Sequence, residues 1–412
     1  MTEHTEASIP ALKERVQARL TELLPELVAL SDDIFAHPEV RFQEHHAVAA
    51  IKDELSKHDI RVQHPAAGLD TAFIADWPQR KAGPRVGILA EYDALPGLGH
   101  ACGHNLIGTS AVGAFLALQA VADELGGSAT LYGCPAEEGG GGKLFLLEAD
   151  AFDGLDAAIM THPFPEARGI NVDRHFSASG GLTLRFHGKP AHSAGAPQDG
   201  INAVDAMVMT YVGVNGLRQR LTRDTNISCM ITHGGSATNV IPDFAEIVYL
   251  VRGERWQNVE ATTRRIITVA EGCAAAIGAT VESLIAKAEP SPEFKYYSED
   301  MQNQTLNQVF INNIEALGLE HTSYSHLPGG GSTDFANVMH HVPGVHLNLA
   351  LPGATESPHT VQFAEASGGP AGPGFIERAA TIMAFSAIDV LMAPGVLEEM
   401  RTEHSRNQQA AG

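Results

Sequence analysis

Cysteine is scarce: Cys102, Cys134, Cys229 and Cys273 are the only four in 412 residues. Their wide, unpaired spacing argues against a disulfide framework and fits a reducing compartment. No run approaches eighteen apolar residues, so nothing reads as a membrane span. The segment Met1 to Pro10 is acidic and polar and lacks the basic and apolar stretches of a secretory signal. A cytoplasmic protein is therefore expected. Basic residues are also short, with 27 Lys plus Arg against 49 Asp plus Glu and a net charge of -22. Such a surface repels phosphate backbones and anionic lipid, so neither nucleic acid nor a membrane is an expected partner.

What the chain has in ordinary measure is a globular composition, 44% hydrophobic and 18% charged. Its length exceeds what one hydrophobic core usually supports, so two folding units are expected. Helical spacing predicts helices over Ala11 to Leu30 and His45 to Lys57, with His37-Pro38-Glu39 as a stop between them. Short apolar or β-branched runs then alternate with helical stretches: Thr71 to Asp76, Arg85 to Glu91, a helix from Asn105 to Glu124, Thr130 to Cys134, and Ala157 to Thr161. This alternation predicts an α/β fold, a mostly parallel central sheet flanked by helices on both faces.

From Ser179 the pattern becomes that of a smaller α+β unit. It comprises Leu182 to His187, a helix over Ile201 to Arg220, Asn226 to His233, Ala245 to Arg252, a helix over Trp256 to Ile277, and Thr280 to Ile285. After Pro290-Ser291-Pro292 the alternation resumes, with helices near Gln302 to Leu317 and, finally, Gly374 to Met392. The expected organisation is a discontinuous domain, 1–178 and 291–412, interrupted by an insert over 179–290.

The reactive residues cluster in the loops that follow the predicted strands, which is where open α/β sheets hold ligands. After the strand ending at Glu91 comes Asp93-Ala94-Leu95-Pro96, then His100-Ala101-Cys102-Gly103-His104-Asn105. A thiolate and an imidazole two residues apart can share a metal centre. The rival reading is a nucleophilic cysteine with histidine as its base. After Cys134 comes Pro135-Ala136-Glu137-Glu138 and a run of glycines. Adjacent carboxylates in extended chain point apart, so one can ligate a metal while the other meets an activated water. A phosphate loop is excluded, because Gly142-Lys143 is followed by Leu144 and Glu137 stands where that motif needs glycine. His162, closing the strand Ala157 to Thr161, and His359, after Gly344 to Leu349, fall at the same sheet edge. Cys102, His104, Glu138, His162 and His359 form a donor set suited to zinc or a similar ion.

The insert adds His192 in a predicted turn, Asn239 in Gly234-Gly235-Ser236-Ala237-Thr238-Asn239, and Arg252 on a strand. Asn can hold an oxyanion and Arg can clamp a carboxylate. The loop Gly329-Gly330-Gly331-Ser332-Thr333-Asp334 enters a helix, where Gly330 and Ser332 could receive an anionic substrate group; a simple N-cap is the alternative.

Together these motifs, in this order over nearly the whole chain, resemble the dinuclear metallopeptidase family of aminoacylase, carboxypeptidase G and succinyl-diaminopimelate desuccinylase. The likeness is to its amidohydrolase branch (aminobenzoyl-glutamate hydrolase, hippurate hydrolase, indoleacetyl-amino acid hydrolase). Glu91 to Ile107 most resembles the β-alanyl-lysine-type dipeptidases. The resemblance implies a phosphorylase/hydrolase-like catalytic domain with an inserted lid domain through which two chains form a homodimer. It implies two divalent metal ions, zinc first, with manganese or cobalt as alternatives. Cys102 would bridge them, His104, Glu138, His162 and His359 would complete the ligands, and Asp93 would support them from behind. Glu137 would be the general base, with His192, Asn239 and Arg252 acting on the substrate. Asn105 and Thr333 stand where many members of that branch carry Asp and Glu, which would alter the surroundings of the metals or substrate. The implied reaction is hydrolysis of the amide bond of a small N-acyl amino acid or dipeptide. The alternatives are a non-catalytic metal-stabilised binding or regulatory protein on the same fold, or the cysteine-nucleophile hydrolase.

Overall fold

The structure is a computed structural model that describes residues 8–78, 81–285, 296–326 and 330–411. The chain divides into two compact units: residues 1–175, 300–327 and 334–412 form one, and residues 176–299 with 328–333 the other. The expected junction at Pro290-Ser291-Pro292 lies outside the described residues.

The larger unit opens with helices α1 (Ile9–Ala36) and α2 (His45–Ser56) and strands β1 (Arg61–Gln63), β2 (Phe73–Asp76) and β3 (Arg85–Glu91). Helix α3 (His104–Gln119), β4 (Ser128–Cys134), α4 (Gly142–Glu148), β5 (Ala157–Pro165) and β6 (Ile170–Asn171) follow. The seven-stranded sheet has the order β1-β2-β4-β3-β5-β11-β6, where β11 is Gly344–Leu351. Its four central strands β4, β3, β5 and β11 are mutually parallel, and the antiparallel pairings lie toward the edges.

Both faces of those central strands are buried, which accounts for their unbroken apolar runs. Val86, Ile88 and Ala90 of β3 join one core with α1 and α3, while Leu89 points into a second core with Phe145, Phe152 and Phe335. Ala157 and Ile159 against Ala158 and Met160 divide β5 in the same way. Period-2 alternation thus feeds two cores from one strand.

The smaller unit holds β7 (Ala178–His187), α5 (Ala203–Leu217), β8 (Asn226–His233), β9 (Phe244–Gly253), α6 (Trp256–Ile277) and β10 (Thr280–Ile285). Its sheet, β10-β7-β9-β8, is wholly antiparallel. Apolar residues of α5 and α6 pack on the inward positions of β7 and β9, so one face of the sheet is buried, as alternation in β9 requires.

In the larger unit α7 (Gln304–Ala316), α8 (Phe335–His341), α9 (Val361–Ser367), α10 (Gly372–Met392) and α11 (Pro394–Ala411) complete the chain. Three expectations need correction. Helix α1 runs through Pro25 to Ala36 rather than ending at Leu30, because Leu27, Leu30 and Ile34 continue its buried stripe. Strand β5 extends to Pro165, so His162 lies within it, in register with Asn348, rather than closing it. The helix ending at Met392 is not the last: Pro394, excluded from a helix interior, starts a new one.

The sheet fits tightly where β2 crosses β4. A Cβ on Gly133 would sit 2.1 Å from ring carbons of Phe73. Gly133→Ala is expected to cost about 1–3 kcal/mol through overpacking, read as a Tm several degrees lower in a thermal melt; an unchanged melt would mean that Phe73 yields to the added methyl without cost.

Candidate metal centre

The centre is assembled where β3 and β4 end side by side, Glu91 being in register with Cys134. The segment after β3 turns back to enter α3 at Gly103, whose φ of 75° and closeness to Pro163 (2.5 Å for an added Cβ) demand glycine. That turn presents Cys102 and His104 together. The segment after β4 wraps around one carbonyl: Gly140 and Gly141 N–H both donate to Ala136 O, at 2.9 and 2.8 Å. Ala136 itself has φ of 60°, held by its own N–H donating to Glu44 Oε1 at 2.9 Å. The glycine run is therefore a tight turn that fixes Glu137 and Glu138.

Asp93 joins the two segments. Its Oδ1 accepts from His104 Nδ1 at 2.9 Å and its Oδ2 from the Glu138 N–H at 3.0 Å. With Nδ1 committed, His104 aims Nε2 forward, 3.6 Å from Glu91 Oε2 and 3.9 Å from Glu138 Oε1. In His162, Nδ1 donates to the Pro163 carbonyl at 2.8 Å, leaving Nε2 to face Cys102 Sγ at 3.4 Å. His359 has φ of 70° and is anchored by its N–H to Ala101 O at 2.8 Å; its Nε2 lies 3.2 Å from Glu138 Oε2. A non-glycine residue held in left-handed backbone is strain kept for a purpose, here aiming an imidazole at Glu138.

The five expected ligands thus converge, in overlapping sets with ligand atoms within 4.8 Å of one another: Cys102 with His104 and His162, Cys102 with Glu138 and His359, and His104 with Glu137 and Glu138. Three buried atoms, His104 Nε2, Glu138 Oε1 and Glu91 Oε2, have no hydrogen-bond partner. Buried polar atoms are rarely left so, and divalent cations fit this donor set.

Electrostatics point the same way. Glu91, Asp93, Glu137 and Asp334 are buried and Glu138 nearly so, against one buried lysine, Lys143. Burial, then the nearby charges of Glu91 and Glu138, push Glu137 well above the usual carboxylate range. Burial opposes charge on His104, but Asp93, Glu91 and Glu138 outweigh it and raise its pKa to about 10. Burial and the charges of Glu138 and Glu137 push the Cys102 thiol up, while burial, with His346 and His104, drives His162 down. Cys102 and His162 are therefore not a thiolate–imidazolium couple, which counts against a cysteine nucleophile. Divalent cations reverse this logic, because a coordinated thiol is deprotonated outright.

Several neighbours escaped the sequence reading. Lys143, noted there only as failing a phosphate-loop pattern, is fully buried between Glu91 and Asp334. Glu44, raised to about 8 mainly by burial and next by Asp93, holds the turn at Ala136. His346 stacks on His162 with ring centroids 5.6 Å apart. Two expectations are corrected. Asn105 does not face the metals: its Nδ2 donates to Ser31 Oγ and the Ser367 carbonyl, both at 3.1 Å, tying α3 to its neighbours. Asp334 is not a simple N-cap, since its side chain makes no cap bond to α8 and instead receives the N–H and ammonium of Lys143.

Of the smaller unit's candidates, His192 and Asn239 come together: His192 bridges Val240, and the Ser193 N–H donates to Asn239 O at 3.1 Å. Both are exposed. The His192 ring is fixed by Ala194 and Gly195 N–H donating to Nδ1, at 3.2 and 2.9 Å. This loop pair lies beyond the end of the sheet where His187 meets Phe244. Arg252 is toward the opposite end of β9, in register with Ser179 and Asn226, roughly 26 Å along the strand from Phe244. Gly330 and Ser332 lie in the loop whose Gly331 O accepts from Ser177 N–H at 2.9 Å; Gly329 lies outside the described residues.

A cysteine–histidine–glutamate donor set at the carboxyl ends of parallel strands, with a second glutamate beside it, defines a metal-dependent hydrolase on an α/β fold. Residues 176–274 match the peptidase dimerisation domain, M20_dimer. The chain is 36% identical to the Xaa-Arg dipeptidase of Mus musculus, covering 96% of this chain and 93% of that one. It is 34% identical to a component chain of the p-aminobenzoyl-glutamate hydrolase of Escherichia coli, over 70% of this chain and 62% of that one. Among solved structures, a dinuclear metal-binding peptidase of the M20 family from Bacillus subtilis aligns with a TM-score of 0.66 at 26% identity, over 90% of this chain and 99% of that one. The chain belongs to the M20 family of metallopeptidases and is a metallo-amidohydrolase.

Because Asp93 grips both ligand-bearing segments, Asp93→Asn should weaken metal binding about 10–100-fold, measured by competition with a chromogenic chelator. Wild-type affinity in that variant would mean that Asp93 does not organise the centre.

Proposed function

We propose that this enzyme hydrolyses dipeptides, and amides of similar size, with Glu137 as general base, and that it works as a homodimer. The observation that carries the catalytic reading is that Cys102, His104, Glu138, His162 and His359 fall into overlapping ligand sets, one of which takes in Glu137. Thiolate and imidazole donors favour zinc, with manganese or cobalt as the alternatives. The two ions would supply Lewis acidity and a lowered pKa for bound water. Glu137 takes the proton of the attacking water as its oxygen adds to the amide carbonyl carbon. The same carboxylic acid then gives that proton to the amine nitrogen as the C–N bond breaks. His104, oriented by Asp93, and His162, oriented by the Pro163 carbonyl, hold their Nε2 atoms toward the centre throughout.

A cationic carboxy-terminal residue is the proposed substrate preference. The mouse relative is named an Xaa-Arg dipeptidase, and a net charge of -22 attracts cations. All four cysteines are unpaired, in keeping with the proposed cytoplasmic setting.

The dimer reading rests on an uncovered apolar face of the smaller unit. Val208, Met209, Tyr211 and Val212 of α5 and Met230 and Ile231 of β8 are exposed, Val212 and Met230 by 62% and 63%. Strand β8 is also a sheet edge. Edges and apolar patches of this kind are normally covered, and the segment matches a dimerisation domain. His192 and Asn239 lie at one end of their sheet and Arg252 toward the other, too far apart to meet around one dipeptide. A substrate touched by all three would draw on two chains, His192 and Asn239 of one stabilising the oxyanion while Arg252 of the other holds the carboxylate.

Two measurements test this. Glu137→Gln should keep its metal and lose about 10²- to 10⁴-fold in kcat on a panel of β-alanyl and aminoacyl dipeptides ending in Lys or Arg, N-acetyl amino acids, hippurate and aminobenzoyl-glutamate. Normal turnover in that variant would refute the base assignment. Mixing inactive Glu137→Gln with inactive His192→Ala chains should restore about a quarter of wild-type activity, since half the dimers are hybrids with one complete site. Silence of the mixture with hybrid dimers demonstrably formed would place His192 in its own chain's site.

A further inference from the structure

Lys143 has no part in the chemistry described above, yet it is a lysine buried beside it. Its side chain is wholly buried, as are those of Glu91 and Asp334. Nζ donates to Glu91 Oε1 at 2.5 Å and to Asp334 Oδ1 at 2.6 Å, and the backbone N–H of Lys143 donates to Asp334 Oδ2 at 3.0 Å. Asp334 therefore spends both oxygens on Lys143. Glu91 spends one, and its other oxygen, Oε2, is buried without a partner and faces His104 Nε2 at 3.6 Å. The triad links three places that shape the centre: the end of β3, the start of α4 just after the Glu137–Glu138 turn, and the entry to α8.

Buried ion pairs are seldom the cheapest way to hold helices together, since apolar side chains of similar volume do as well or better. Charge balance supplies the missing reason. Two divalent ions carry four positive charges against five carboxylates (Glu91, Asp93, Glu137, Glu138, Asp334) and the Cys102 thiolate, and Lys143 brings the balance to within one.

We propose that Lys143 is a positioning residue for the metal centre: it pins Glu91 so that Oε2 stands against the metal-facing nitrogen of His104, and so sets how tightly an ion held by His104 is bound. This rests on the ligand assignment above. Lys143 touches neither substrate nor metal; it acts through Glu91.

The test is metal affinity, read by chelator competition and by the visible absorption of the cobalt-substituted enzyme, in Lys143→Met and in Glu91→Gln. The second variant keeps the lysine and nearly all the packing, so it answers even where the first folds poorly. Both should still bind two ions, one of them loosened about 10–100-fold, the same one that His104→Ala loses, with an altered cobalt spectrum; Lys143→Arg should recover part of the loss. Wild-type affinity and spectrum in Glu91→Gln, or a Lys143→Met enzyme whose only change is a lower Tm, would overturn the proposal. His104→Ala separates the two levels: two ions held as tightly as in the wild type would sink the ligand assignment itself, whereas loss of an ion there with no effect at Glu91 would sink only the role of the triad.

Discussion

An excess of buried negative charge is the constraint on which the larger unit depends. Glu91, Asp93, Glu137, Glu138 and Asp334 converge where β3 and β4 end, and one lysine and one histidine cannot neutralise them. Ionised carboxylates taken from water cost far more than ordinary packing returns unless a cation compensates. The chain therefore folds toward a site that is complete only with metal. Metal binding and the stability of this unit become one equilibrium. It also explains why so much surrounding structure is devoted to aim: Asp93 gripping two segments, the Pro163 carbonyl fixing a histidine tautomer, and a left-handed backbone at His359. A ligand that turned away would leave its charge uncompensated.

The same constraint governs the proton chemistry. Burial, then the like charges of Glu91 and Glu138, makes Glu137 hold its proton more tightly than an ordinary carboxyl. In the mechanism proposed above, divalent ions held beside Glu138 would lower that affinity, so that Glu137 could accept a proton from water and release it to a departing amine. One carboxyl serving both halves of the cycle needs an environment set between two extremes. Lys143 is the buried lysine packed into that environment, which is why its pairing with Glu91 matters beyond stability.

The convergence of the candidate ligands was legible in the sequence because each follows or lies in a strongly apolar strand, and strand ends in an open α/β sheet meet at one edge. Cys102 with His104, and Glu137 with Glu138, announce themselves by spacing. His162 was placed at the right edge although its strand runs on to Pro165, an error of boundary rather than of geometry. What spacing could not reveal is pairing at long range. Lys143 and Asp334 lie far apart along the chain, and each alone resembles a common feature, a surface lysine and a helix cap. Glu44 gives no signal at all, since its role is to hold one backbone N–H in a turn ninety-two residues away. Asn105 misled in the other direction: its neighbours in sequence are candidate ligands, but the helix turns its side chain toward Ser31 and Ser367.

The smaller unit shows why residue type and order alone do not define an active site. His192, Asn239 and Arg252 each suit a substrate contact, and sequence reasoning treats them as one group. Strand β9 separates them: at about 3.3 Å per residue, nearly its whole length stands between the arginine and the end where the other two lie. Antiparallel strands cannot bring their opposite ends together within one sheet, however the side chains rotate. The exposed apolar face of α5 and the open edge of β8 would supply the way out in the proposed dimer, because a second copy placed against them would add a second set of the same residues in reversed direction. A two-fold pairing turns distance within one chain into proximity between two, so association would be part of catalysis rather than an accessory to it.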